Sequence, residues 1–112
     1  MAREIIDYQQ LQSLKDDLED DFREIYNTIF FSIDDILGQI RQKPADRQTL
    51  IRLFHSLKSP ARSLGANLFA QRAEDYEKQT REQTLQSLDT ALADLEALFS
   101  QVQEELKDYD AG

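Results

Sequence analysis

The sequence predicts an all-α fold: an antiparallel up-down-up-down four-helix bundle with a short extra N-terminal helix. Apolar residues recur at three- and four-residue steps in successive segments, the period of a helix with one buried face. Only 3 Gly and 2 Pro occur among 112 residues, too few breakers for the turns of a β fold. Pro44 and Gly65 fall between periodic segments, so the connections are short and consecutive helices run antiparallel. The length suits one domain, 1–112, with one modest core.

The first helix is short. In residues 8–18, Tyr8, Leu11, Leu14 and Leu18 share a face, and Asp7 suits the N-cap. A long helix follows, from about Asp20 to Gln42. Its stripe is Phe22, Ile25, Ile29, Ile33, Ile36 and Ile40, widened by Phe30 and Leu37. Lys43-Pro44-Ala45 breaks it. Asp46 caps the next helix, which buries Leu50, Phe54, Leu57, Ala61 and Leu64 and ends at Gly65, where a left-handed backbone costs glycine little. A fourth helix covers about 67–80 with Leu68, Phe69, Ala73 and Tyr76 inward. Thr84 is placed to cap the last, whose stripe Leu85, Leu88, Leu92, Leu95, Phe99, Val102 and Leu106 approaches a heptad seam.

Composition excludes several classes. Cys is absent, so there is neither a disulfide framework nor a thiolate metal site. No apolar run reaches the ~18 residues of a membrane span, and MAREIIDYQQ lacks the regions of a signal peptide; a soluble cytoplasmic protein is expected. The net charge of −9 disfavours nucleic acid and anionic membranes as partners. The acidic run DDLEDD at 16–21 lacks the glycine and spacing of a calcium-binding loop and reads as a solvated helix end. With a single His, neither a zinc or haem site nor a hydrolytic triad is supported.

The charge is uneven. Residues 1–45 carry −5 and residues 67–112 carry −7, whereas 46–66 carry +3, with Arg47, Arg52, Lys58 and Arg62 against Asp46. That one basic segment contains the one histidine, His55. On a helical wheel His55 lies about 100° from the buried Phe54, on a face shared with Ile51, Lys58, Ser59 and Arg62. This face is expected to be exposed or half-exposed. Positive charge nearby disfavours imidazolium, a neutral imidazole is a nucleophile, and the same cations would stabilise an anion held on its nitrogen. Those are the requirements of phosphoryl transfer.

The run His55-x-Leu57-Lys58 followed by Leu64-Gly65-Ala66 resembles the signature of histidine-containing phosphotransfer (HPt) domains, His-x-Leu-Lys-Gly-Ser/Ala and then Leu-Gly-Ala. The order of helices resembles that family along nearly the whole chain. The resemblance implies a four-helix bundle in a multistep phosphorelay, taking phosphate from a receiver-domain aspartate and passing it to another receiver. It implies His55 as the phosphorylated residue and Lys58 as the side chain neutralising the phosphate. It also implies no kinase activity and no cofactor or metal here, the magnesium sitting in the partner receiver. Partners would be response-regulator receivers or a hybrid sensor kinase, the chain acting as a monomer, and the wheel puts docking on Ile51, His55, Ser59 and Arg62. Two residues depart from the pattern. Ser59 stands where the family has glycine, and Pro60, inside the helix, removes a hydrogen bond to the Ser56 carbonyl and is expected to kink the helix after His55. A rival reading is a docking module that binds a receiver without carrying phosphate; a third is a bundle that self-associates through the heptad seam of 85–106.

Overall fold

The computed structural model describes residues 6–107. Helix α1 (Tyr8–Leu18) is capped as its sequence dictates, the Asp7 carboxylate accepting from the backbone N–H groups of Gln9 and Gln10. It ends at Glu19, whose φ of 48° turns the chain into a 3-10 turn, Glu19–Asp21. The acidic run therefore ends α1 and fills this exposed turn. Helix α2 (Phe22–Arg41) starts after it, two residues later than the periodicity suggested.

The buried stripe of α2 is rotated from the expected one. Phe22, Tyr26, Ile33, Leu37 and Ile40 are buried, Ile29, Phe30 and Ile36 are partly so, and Ile25 is exposed. Tyr26 is the reason. Its ring packs between Phe22 and Phe30, with centroids 5.2 and 4.8 Å away, and its hydroxyl donates to the Leu106 carbonyl. A tyrosine whose polar tip finds a partner is buried as readily as an isoleucine.

Asp46 caps helix α3 (Arg47–Ser63), accepting from the Gln48 N–H. The helix continues through Pro60, and its second half packs through Ala61 and then Leu64, both fully buried. Gly65 follows with φ 75°. A Cβ there would be strained by the backbone and would also collide with the Asp7 carbonyl oxygen. The Asp7 N–H donates to the Gly65 carbonyl at 2.7 Å, fastening the start of α1 to the end of α3.

Helix α4 (Asn67–Glu82) ends at Gln83, in the left-handed region with φ 60°. The expected cap of the last helix is corrected here. The Thr84 N–H donates to the Gln79 carbonyl, so Thr84 closes α4. Ser87 caps α5 (Leu88–Leu106), accepting from the Thr90 N–H. Leu85 lies in the connection yet still packs on the core, while Leu92, Leu95, Phe99, Val102 and Leu106 are buried along α5.

The helices contact in the cycle α2–α3–α4–α5–α2, and α1 lies against α2 and α3. Short connections between contacting neighbours make this the up-down-up-down bundle, closed round one continuous core to which every helix contributes. At roughly 1.5–3 kcal/mol per large apolar side chain buried, this core is the main source of stability. Among the described residues, no helix is long and apolar enough to cross a membrane.

Candidate functional site

His55 stands midway along α3, the helix wedged between α2 and α4. Phe54 and Leu57 beside it are fully buried and fix the helix rotation, leaving the imidazole 63% exposed. Its Nδ1 lies 3.1 Å from Oε2 of Glu77 on α4. Glu77 is buried, and three donors from two helices converge on its carboxylate. Lys58 Nζ lies 2.8 Å from Oε1, and Arg81 Nη2 lies 3.0 Å from the same Oε2 that meets the histidine.

Burial pushes the Glu77 carboxyl up, but the hydrogen bond and charge of Lys58, then the charge and hydrogen bond of His55, outweigh it and hold the group below its ordinary range. An ionised carboxylate only accepts hydrogen bonds. The Nδ1–Glu77 contact therefore assigns the ring proton to Nδ1 and leaves the Nε2 lone pair as the nucleophilic nitrogen. Glu77 thus orients the ring, selects its tautomer and keeps Lys58 beside it.

Ser59, one turn beyond His55, is exposed, as is Arg62, which lies 3.9 Å from Glu74. Lys58 is placed differently from the expectation: its side chain is only 13% exposed and is spent on Glu77. The histidine therefore does not face unopposed positive charge, since the carboxylate it contacts is the one that Lys58 and Arg81 also hold. Ile51 is corrected outright. At 8% exposure it is buried, because α3 is covered from two sides and its buried arc takes in Ile51 and Leu53 as well as the expected stripe.

Glu77 and Arg81 were not singled out from the sequence, although one signal for Glu77 was present. Phe69, Ala73 and Glu77 follow each other at four-residue steps on α4, so a carboxylate occupies an inward register, where a charge requires partners.

The Hpt domain family model matches residues 9–105. The fold is similar to the crystal structure of histidine-containing phosphotransfer protein B (HptB) from Pseudomonas aeruginosa PAO1, with a TM-score of 0.87 over 96% of each chain, at 24% sequence identity. No curated protein is matched. With most of its length matched by the family model and its one histidine exposed on a bundle helix, the chain belongs to the Hpt domain family.

Proposed function

We propose that this single domain is a phosphoryl carrier of a phosphorelay, accepting phosphate from a receiver-domain aspartate on Nε2 of His55 and returning it to another receiver. The observation that carries this is the exposed imidazole held through Nδ1 by the buried Glu77 carboxylate. In the transfer, the Nε2 lone pair forms the N–P bond. The P–O bond to the donor aspartate breaks, and its electron pair returns to that carboxylate. The proton stays on Nδ1, so the phosphorylated ring is formally an imidazolium, and Glu77 faces the charge it gains. The same contact serves the reverse step, because a ring kept protonated at Nδ1 is the better leaving group.

Lys58 acts through Glu77 and contributes positive charge close to the phosphoryl group. The exposed surface around His55, Ser59 and Arg62 supports docking of a receiver's acidic site, whose magnesium is the partner's own. Receivers, free or within a hybrid sensor kinase, are the partners this chemistry fits, and a cytoplasmic setting follows from such partners. The rival docking module would use the same surface without covalent chemistry.

The test is incubation with phosphorylated receivers and magnesium, followed by intact mass and acid lability. One acid-labile phosphoryl group is expected on the unsubstituted chain and none on His55→Gln, with both melting alike. Binding to a phosphorylated receiver without any transfer would replace this reading with the docking module.

A further inference from the structure

Two cations share Glu77, and they are not equivalent. Lys58 Nζ lies 2.8 Å from Oε1, on a side chain 13% exposed. Moving it towards Nε2 would strip a buried carboxylate oxygen of its ion pair, among the costlier losses a protein interior can suffer. Arg81 is 63% exposed and shares Oε2 with His55 Nδ1. If it leaves, that oxygen keeps the imidazole N–H, and the guanidinium stays in water. Its donors and the ring already lie within the span of two hydrogen bonds. Arg81 also borders an open depression of about 470 Å³, so packing does not lock its side chain; Glu74, Asp75, Glu77 and Glu82 line it with Lys58 and Lys78, and His55 lies outside it. A planar fork of five N–H donors also suits phosphate oxygens better than a single ammonium and can hold Glu77 and phosphate together.

We infer that Arg81 is the side chain that turns onto the phosphoryl group carried by His55, exchanging one acceptor on Glu77 for a phosphate oxygen, while Lys58 stays in place as the anchor of Glu77. This rests on the carrier reading above. No covalent bond of Arg81 changes; its role is to stabilise the phosphorylated state.

The test labels the full chain with phosphoramidate and follows the phosphohistidine resonance by phosphorus NMR across pH. A neighbouring guanidinium favours the dianionic phosphoryl group, so Arg81→Ala should raise its ionisation midpoint by about one pH unit. Arg81→Lys should recover part of the shift, and added salt should shrink the difference, since the guanidinium is exposed. Lys58→Met should move the midpoint less than Arg81→Ala does, although it lowers the melting temperature more. An unchanged midpoint in Arg81→Ala, or a larger shift in Lys58→Met, would overturn the assignment while leaving His55 a carrier. Failure of His55 to be labelled in the unsubstituted chain would overturn the carrier reading and this assignment with it.

Discussion

Two carboxylates, Glu77 on α4 and Asp94 on α5, make an instructive pair. Glu77 faces α3 and gathers His55, Lys58 and Arg81. Asp94, on α5, gathers Arg72 and Tyr76 from α4, the guanidinium at 2.8 Å and the hydroxyl at 2.6 Å, both on Oδ2. Each cluster ties two helices with a carboxylate and a cation. They differ in what the third partner has left over. The Tyr76 hydroxyl spends its one proton on Asp94, and burial, then Asp94, raise its pKa to about 12. His55 spends one nitrogen on Glu77 and presents the other to solvent. A polar brace becomes a reactive site when one member has a second functional atom and the packing leaves it uncovered.

Substitutions can break this contrast in a graded way. Glu77→Ala should have the largest effect on both properties. It removes the acceptor that sets the ring's tautomer and abandons a mostly buried lysine, so transfer should fall at least about tenfold and stability by about 2 kcal/mol. Glu77→Gln keeps an acceptor for Nδ1–H and should recover much of the transfer while remaining less stable. Its deficit should depend on acid. The folded carboxyl of Glu77 lies below its ordinary value of 4.5, so its stabilisation is complete above that value and lost as pH falls through the folded pKa. Melting curves of the two chains should therefore converge on acidification; a constant gap would mean the ion pair contributes nothing.

Asp94→Asn should share only the structural half of that effect, lowering the melting temperature while phosphate uptake from a receiver stays within about twofold, a change of under half a kcal/mol. Loss of uptake would show that the two clusters are coupled through α4. Tyr76→Phe should be mildest, about 1 kcal/mol for one hydrogen bond. A raised folded pKa stabilises below the unfolded value of 10 and is lost as pH climbs towards about 12. The unsubstituted chain should thus lose stability over that interval faster than the phenylalanine variant, as denaturant titrations at several alkaline pH values would reveal.

The helices, the Asp7 and Asp46 caps and the Gly65 turn were legible because each depends on neighbours within one or two turns. The stripe of α2 was misjudged at Ile25 and Tyr26, since only the hydroxyl's distant partner on α5 makes tyrosine the inward residue. The exposure of His55 was legible from its place on the wheel beside Phe54. Ile51 was not, because a wheel shows which residues share a face but not how many helices cover it. Glu77, and Arg81 through it, join the histidine only after α3 and α4 pack, and a pairing across 22 positions leaves no periodic trace.

The fastening of Asp7 to Gly65 bears on the order of assembly. Helix α1 buries Leu11 completely, yet its partners come much later in the chain: the Gly65 carbonyl, the Arg62 carbonyl for the Gln10 side chain, and Glu105 for the Tyr8 hydroxyl. During synthesis this early segment emerges long before the surfaces that hold it exist, and such distant closures form slowly. The helix written first is therefore seated late, over a histidine-bearing helix whose own end must be in place to receive it.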